Sequence, residues 1–319
     1  MNLNFLMVQK LKKIINMKQY KIKDILQISK NALREWWEKD PFRQSAIIAY
    51  YAIFSIPGLL VLIIAIAGYF FGTDVVNKNL IDQISETIGQ ETALQIQDVL
   101  TKSTAEKSTI WGSIIGISVL LVGATGVFVE LQKTLNLIWN VKVKPQNGLW
   151  LVVKARLFSF GLILAIAFLL TISLVISTAL VAVSNFIAFE SSQIMMTLYG
   201  ILNFIISLMV ISALFAMIFK ILPDAKIEWK HVWLGSIVTG LLFTIGKMAL
   251  AYYFGKADPA SVYGAAGSII LILLWVSYSS MILFFGAEFT FAYAKMYSGT
   301  IAPTEIAKVE IPTATEKTM

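Results

Sequence analysis

The sequence contains no cysteine and a single histidine, His231. Disulfide frameworks, thiol catalysis and cysteine-rich metal sites are therefore excluded. No His-Glu-x-x-His or Gly-x-Ser-x-Gly motif occurs, and no cluster of acidic residues matches a two-metal nuclease. From these absences we expect a protein that is not an enzyme, with no catalytic residues, no metal site and no cofactor.

Charge is also scarce. Only 14% of the 319 residues are charged and 57% are hydrophobic, whereas soluble domains are about 25% charged and about 45–50% apolar. A soluble protein of this size could not bury so much apolar surface. The uncharged stretches 47–71 and 157–189 each exceed the roughly 20 residues that a helix needs to cross a bilayer core. The chain is therefore predicted to be an integral membrane protein.

The fold class predicted from these runs is all-α, a polytopic membrane helix bundle with about six transmembrane helices. A transmembrane domain at 45–297 follows a basic N-terminal segment at 1–44, and a tail at 298–319, rich in Thr, Ala, Pro and charge, is predicted to be disordered. An external helical insert is expected at about 73–109. The six spans are placed at 45–71, 110–139, 157–184, 194–222, 231–254 and 267–293.

The distribution of Lys and Arg predicts the orientation. Segments rich in these residues alternate with poor ones along the chain: residues 1–44 carry ten, whereas 185–193 carry none. Because Lys- and Arg-rich loops stay in the cytoplasm, both termini are predicted to be cytoplasmic. Attraction to anionic lipid explains the basic segments without a nucleic-acid partner. The N-terminal segment itself is amphipathic, and it is expected either to lie on the membrane surface or to pack on the bundle.

A proline within the first span is a candidate functional position. Pro57 removes a backbone donor and frees a carbonyl group, which in lipid needs another partner. One interpretation is a kink that faces a cavity, with Ser55 and Tyr50 nearby. The alternative is a kink that serves packing alone, with Tyr50 and Tyr51 as interfacial anchors.

Four polar residues inside otherwise apolar spans are further candidates. Glu130 and Glu288 would mark a pathway if they lay at mid-membrane, but each is about 30 Å from the outer start of its span at about 1.5 Å per residue. Both are therefore expected near the cytoplasmic interface, where Lys133 can pair with Glu130. Lys247 either snorkels outward or faces the bundle and requires an anionic partner. Asn136 is a candidate for a hydrogen bond to another helix.

Several stretches of the chain resemble the YihY/virulence factor BrkB family of bacterial inner-membrane proteins. The resemblance covers about residues 40–297. The stretches that carry it are 49–60 (AYYAIFSIPGLL), 135–139 (LNLIW), 222–229 (LPDAKIEW) leading to Gly235, and 263–267 (YGAAG) with Leu274, Trp275 and 286–288 (GAE).

The resemblance implies six helices in the inner membrane and an association with virulence. It implies no settled activity, since the family has carried a tRNA-processing ribonuclease label and some relatives look linked to lipid export. We expect transport or handling of a lipid-like or anionic substrate; the alternatives are a non-transporting envelope scaffold and a membrane-associated ribonuclease. Membrane lipids and a small-molecule or lipid substrate are the expected partners, and a homo-oligomer is left open. The candidate cavity residues are Tyr50, Ser55, Pro57, Glu130, Asn136, Lys247, Tyr263, Trp275 and Glu288.

Overall fold

The computed structural model describes residues 22–88, 93–94, 97, 110–144, 193–257, 267–298, 301–304 and 307–309. Long helices dominate this part of the chain, and short strands follow α4, α5 and α7. The helices are α1 (Ile22–Glu38), α2 (Pro41–Phe71), α3 (Thr73–Ile88), α4 (Ile110–Ile138), α5 (Gln193–Ile221), α6 (Trp229–Ala257) and α7 (Gly267–Ser298). The strands are β1 (Val141–Val143), β2 (Ala225–Lys226), β3 (Ala302–Pro303) and β4 (Ala307–Val309).

Five of the six predicted spans coincide with α2, α4, α5, α6 and α7, with ends that differ by a few residues. The span predicted at 157–184 lies outside the described residues. Within the described ranges, three stretches are long and apolar enough to cross a membrane: Gly200–Ile221, Trp229–Phe254 and Ile269–Tyr297. The helical membrane class is therefore confirmed, while the number six and the cytoplasmic termini stay predictions.

The turn between α1 and α2 is built by Asp40 and Pro41. Asp40 adopts a left-handed backbone conformation with φ 53°, and its carboxylate caps α2 by accepting a hydrogen bond from the Arg43 backbone N–H. Pro41 occupies the start of α2, where its missing N–H costs nothing and its fixed φ suits a helix. Gln44 Nε2 donates to the Lys39 carbonyl at 2.6 Å. These contacts fold α1 back against the bundle.

Helices α6 and α7 pack as an antiparallel pair through small residues. A Cβ at Gly235 would collide with Thr290, and a Cβ at Gly286 would collide with Thr239. Each glycine thus receives the threonine of the opposite helix. The Thr239 and Thr290 hydroxyls donate to carbonyls of their own helices, at 2.7 Å each. Close approach through small residues is a common way to pack helices in lipid.

Helices α2 and α4 approach in the same way. A Cβ at Gly123 would lie 3.1 Å from the Tyr51 carbonyl oxygen and 3.1 Å from the Ser55 backbone nitrogen. The ring of Tyr51 covers Gly126. Helix α3, which begins the predicted external insert, contacts α2, α6 and α7.

The strands gather at the end of the bundle where α4, α5 and α7 finish. β1 pairs antiparallel with β4, with Val141 opposite Val309. β2 pairs antiparallel with β3, with Ala225 opposite Pro303. Residues 302–303 and 307–309 were expected to belong to a disordered tail. They are ordered because the connections after α4 and α5 provide backbone partners for them.

The main apolar core lies at this same end. Its largest fully buried side chains are Trp139, Phe219, Phe284 and Leu135. They come from α4, α5, α7 and the turn after α4, so the core joins the three helix ends that the strands also connect. This end is therefore fastened by apolar packing and by backbone pairing together.

Candidate functional site

A buried ion pair joins α7 to the turn between α1 and α2. The Lys39 ammonium lies 2.7 Å from Glu288 Oε1, and the Glu288 side chain is only 1% exposed. The same ammonium donates to the Ile138 carbonyl, at the end of α4, at 3.4 Å. Burying one of these charges without the other would be costly, so Lys39 is what allows a carboxylate inside α7.

Aromatic rings surround this ion pair. The ammonium of Lys39 lies 5.8 Å from the centroid of the Phe291 ring, and that of Lys295 lies 5.7 Å from it. The Trp139 ring meets Phe291 edge to face at 5.5 Å. Trp36 of α1 donates from Nε1 to the Met281 carbonyl of α7 at 3.1 Å. Cation–π and ring contacts thus supplement the ion pair.

Asp224 is the centre of a second buried polar cluster. Its backbone N–H donates to Asn136 Oδ1 at 2.8 Å, and Asn136 Nδ2 donates back to Asp224 Oδ2 at 2.8 Å. Gln132 Nε2 donates to the same carboxylate oxygen at 3.2 Å. The Thr304 backbone N–H and hydroxyl both donate to the Asp224 carbonyl, at 3.0 and 3.2 Å. One residue therefore connects α4, the loop after α5 and the C-terminal strands.

We call Lys39, Glu288, Asn136, Asp224 and Thr304 the clasp. All five lie at the end of the bundle that carries the strands. The arrangement is closed: each charged or amide group has a partner within the clasp or beside it. Its ion pair and hydrogen bonds hold helix ends together. No group of three or more His, Cys, Asp or Glu side chains in the described ranges is placed to hold a metal ion.

Three of the predicted site residues lie in α4 or α7 at or near the clasp. Asn136 and Glu288 belong to it. Glu130 pairs with Lys133, Nζ to Oε2 at 3.6 Å, with the Glu130 side chain 17% exposed, as its spacing suggested. The pathway interpretation of the two glutamates therefore gains no geometric support, because each has a cation beside it.

The predicted residues of the first span lie along α2. The helix continues through Pro57 on both sides. Ser55 is buried and donates to the Ala52 carbonyl at 3.1 Å. Tyr50 is 60% exposed and contacts Tyr51 and Phe54 edge to face. Tyr50 and Ser55 therefore belong to different faces of the helix, one exposed and one packed against α4.

Lys247 and Trp275 lie far from the clasp. Lys247 is 18 residues after Trp229, which places it about 27 Å along α6. It is half-buried, and no hydrogen bond or ion pair joins it to another residue of the described ranges. Trp275 packs edge to face on Phe243, with ring centroids 5.7 Å apart. Tyr263 lies outside the described residues. The predicted set is thus divided between two regions.

Three clasp residues, Lys39, Asp224 and Thr304, were not among the sequence candidates, and Thr304 lies in the segment predicted to be a disordered tail. Lys39 is one of ten basic residues in the N-terminal segment, and its sequence surroundings do not distinguish it. Asp224 carried a usable signal, because it is an acidic residue directly after Pro223 between two apolar runs. In so short a connection, a charged side chain can reach few partners other than the ends of the neighbouring helices.

Comparison with known proteins identifies relatives across most of the chain. A family model described as Virulence factor BrkB matches residues 32–308. A UPF0761 membrane protein of Saccharophagus degradans is 27% identical over 81% of this chain and 58% of that protein. One from Teredinibacter turnerae is 26% identical over 83% and 60%, and one from Verminephrobacter eiseniae is 27% identical over 68% and 49%. No solved structure matches the chain.

The chain spans about half to three-fifths of the length of these curated relatives. The matched region contains helices α2 to α7 and the whole clasp, and the resemblance drawn from the sequence motifs is confirmed. With its long apolar helices and this match, the chain is an integral membrane protein that belongs to the Virulence factor BrkB family.

Proposed function

We propose that the protein transports or handles a lipid-like or anionic substrate in the bacterial inner membrane, as a six-span protein with cytoplasmic termini. The observation that carries this proposal is Lys247. It is a half-buried cation on an apolar helix, and no carboxylate of the described ranges neutralises it. A cation costs about 2.5–3.5 kcal/mol at the middle of a membrane helix and less toward the ends, where Lys247 lies. An anionic group of the substrate would offset that cost.

Aromatic side chains near Lys247 suit the apolar part of such a substrate. Tyr278 of α7 packs on Gly246, the residue beside Lys247. Trp275 and Phe243 stack edge to face one turn away along the same two helices. A cation one residue from a position packed by an aromatic side chain favours an amphipathic anion over a small hydrophilic one.

The clasp supports a direction of access. It fastens one end of the bundle through buried ion pairing and hydrogen bonds, whereas Lys247 lies toward the other end. We therefore expect a substrate to reach Lys247 from the external half of the membrane while the clasp is closed. Opening of the clasp would be the step that connects the site to the opposite side.

The inner-membrane topology rests on the bacterial relatives and on the alternation of Lys and Arg. The chain has no cysteine, so an introduced cysteine is the single site in this chain that a maleimide labels. With a membrane-impermeant maleimide on intact cells, Gln90→Cys and Gln193→Cys should be labelled. Lys144→Cys and Lys226→Cys should react only after the cells are opened. External labelling at position 144 would rule out the six-span topology.

The substrate proposal is tested by mass spectrometry of molecules that copurify with the protein. The wild type should retain an anionic amphiphile and Lys247→Met should lose it. Lys247→Arg should recover only part, because a planar guanidinium does not replace a compact ammonium. The matched control is Lys256→Met, on the same helix, where an exposed ammonium lies 5.9 Å from the Tyr252 ring. Equal retention by Lys247→Met and the wild type would contradict the proposal.

The proposal includes no bond-breaking step. Purified protein incubated with tRNA precursors and divalent metal ions should leave the RNA intact. Cleavage by the wild type that is lost in Glu130→Gln or Glu288→Gln would contradict the transport proposal and support a nuclease activity instead. A protein that retains nothing, yet is required for the assembly of an envelope complex, would instead support the scaffold alternative.

A further inference from the structure

Helix α1 has one face against the bundle. Ile28 is 1% exposed and Ala32 is fully buried, and both pack against Phe289 and Tyr293 of α7. This contact settles part of the sequence expectation, since α1 does pack on the bundle. It leaves other apolar residues of the helix exposed.

A second apolar stripe on α1 is left exposed. Leu26, Leu33 and Trp37 are 67%, 53% and 64% exposed. Their spacing of seven and four residues places them on one face, and Lys30 falls on the same face. Phe42, at the start of α2, extends the stripe, with its ring 5.7 Å from Trp37 in an edge-to-face contact. We call these five residues the α1 stripe.

Exposed apolar patches of this kind mark contacts with a membrane or with another protein. Two features favour the membrane. The stripe runs into the first residues of α2, where the chain enters the apolar bundle, and Trp beside Lys is the side-chain combination found at membrane interfaces. Charge favours an anionic surface: the 23 residues that precede Asp24 contain six lysines and no acidic residue.

We propose that the α1 stripe lies in the headgroup region of the adjacent leaflet and binds anionic phospholipid. Leu26, Leu33, Trp37 and Phe42 insert among the upper acyl carbons, and Lys30 pairs with phosphate. The exposed cations Arg34 and Arg43 contribute less, because Glu38 and Asp40 neutralise them at 2.9 and 3.0 Å. The stripe differs from the Lys247 region in position and in ligand.

The clasp connects this surface to the membrane helices. Trp36, one residue before Trp37, donates to the Met281 carbonyl, and Lys39, two residues after it, pairs with Glu288. A movement of α1 relative to the leaflet therefore pulls on α7 directly.

The test uses the full chain in vesicles, with one nitroxide label at a time on an introduced cysteine. Leu33→Cys places the label on the α1 stripe. The matched control is Asn31→Cys, two residues earlier on the exposed polar face of the same helix. Collision rates are measured with oxygen, which partitions into lipid, and with a water-soluble nickel chelate. The vesicles contain phosphatidylcholine, with or without phosphatidylglycerol.

With phosphatidylglycerol present, the oxygen-to-nickel ratio should be several-fold higher for Leu33→Cys than for Asn31→Cys. The ratio for Leu33→Cys should fall in pure phosphatidylcholine, and Lys30→Gln should weaken that lipid dependence. Equal ratios at the two positions would overturn the proposal. A ratio that is insensitive to phosphatidylglycerol would overturn the anionic preference. A label that is immobile and collides with neither reagent would show that protein covers the stripe.

Discussion

Asn136 and Asp224 exchange two hydrogen bonds of 2.8 Å, one in each direction, between the end of α4 and the loop after α5. The side-chain amide satisfies both a backbone donor and a carboxylate oxygen of the same residue. Asp224 is buried, and Thr304 in turn binds its carbonyl. These bonds fix the loop after α5 against the end of α4.

Asn136→Ala should destabilise the protein by about 1–3 kcal/mol, because it leaves the buried Asp224 backbone N–H without a partner and removes the shorter of two bonds to the carboxylate. Unfolding in mixed detergent and SDS measures the loss. Gln132→Ala is the control, since it removes one longer bond of 3.2 Å to the same carboxylate and should cost less. Equal losses from the two variants would contradict the central role of Asn136.

Lys39→Met should cost more, about 3–5 kcal/mol, because it leaves the Glu288 carboxylate buried and uncompensated. The double variant Lys39→Met/Glu288→Leu should recover most of this loss. The same unfolding assay measures both. Lys295→Met is a control for the cation beside Phe291, since Lys295 is exposed. A double variant as unstable as Lys39→Met would show that the loss does not come from the unpaired carboxylate.

Gly286→Ala should destabilise the α6–α7 pair by about 1–3 kcal/mol, because its Cβ would occupy the position of the Thr239 side chain. Thr239→Ala in the same chain should restore part of the stability by making room. Gly200→Ala is the control: nothing lies within 4 Å of a Cβ there, and alanine favours a helix by about 1 kcal/mol. Destabilisation by Gly200→Ala equal to that by Gly286→Ala would contradict the packing explanation.

A chain ending at residue 300 lacks β3 and β4 and should expose β1 to protease. Trypsin cleavage after Lys142 should then be several-fold faster than in the full chain, because β1 has lost its partner strand. A chain ending at residue 310 retains both strands and should be cut at the full-length rate. An unchanged rate for the shorter chain would show that β4 does not protect this connection.

The long helices were predictable because each needs only local information. An apolar run of the right length identifies a membrane helix whatever its neighbours are, and helices α2, α4, α5, α6 and α7 all begin and end within a few residues of their predictions. Glu130 and Lys133 were predictable for a similar reason, since one helical turn separates them.

The clasp could not be predicted in this way, because its partners are distant in sequence. Lys39 and Glu288 are separated by 249 positions, and no periodic pattern relates them. β3 and β4 contain two and three residues, in a segment rich in threonine, alanine and proline. Such strands form only where another backbone already offers hydrogen bonds, so tertiary structure overrides the local composition.

The pairing of Val141 with Val309 also determines when this end of the bundle can form during biosynthesis. β1 is synthesised when less than half of this chain exists, and β4 follows only after α5, α6 and α7 have been made. The helices that are inserted first therefore lie beside one another before this end of the bundle has formed. The contacts that complete it join segments far apart in the chain. Translation that stops before residue 307 would yield a protein that has its helices but lacks the pairing of β1 with β4 at this end.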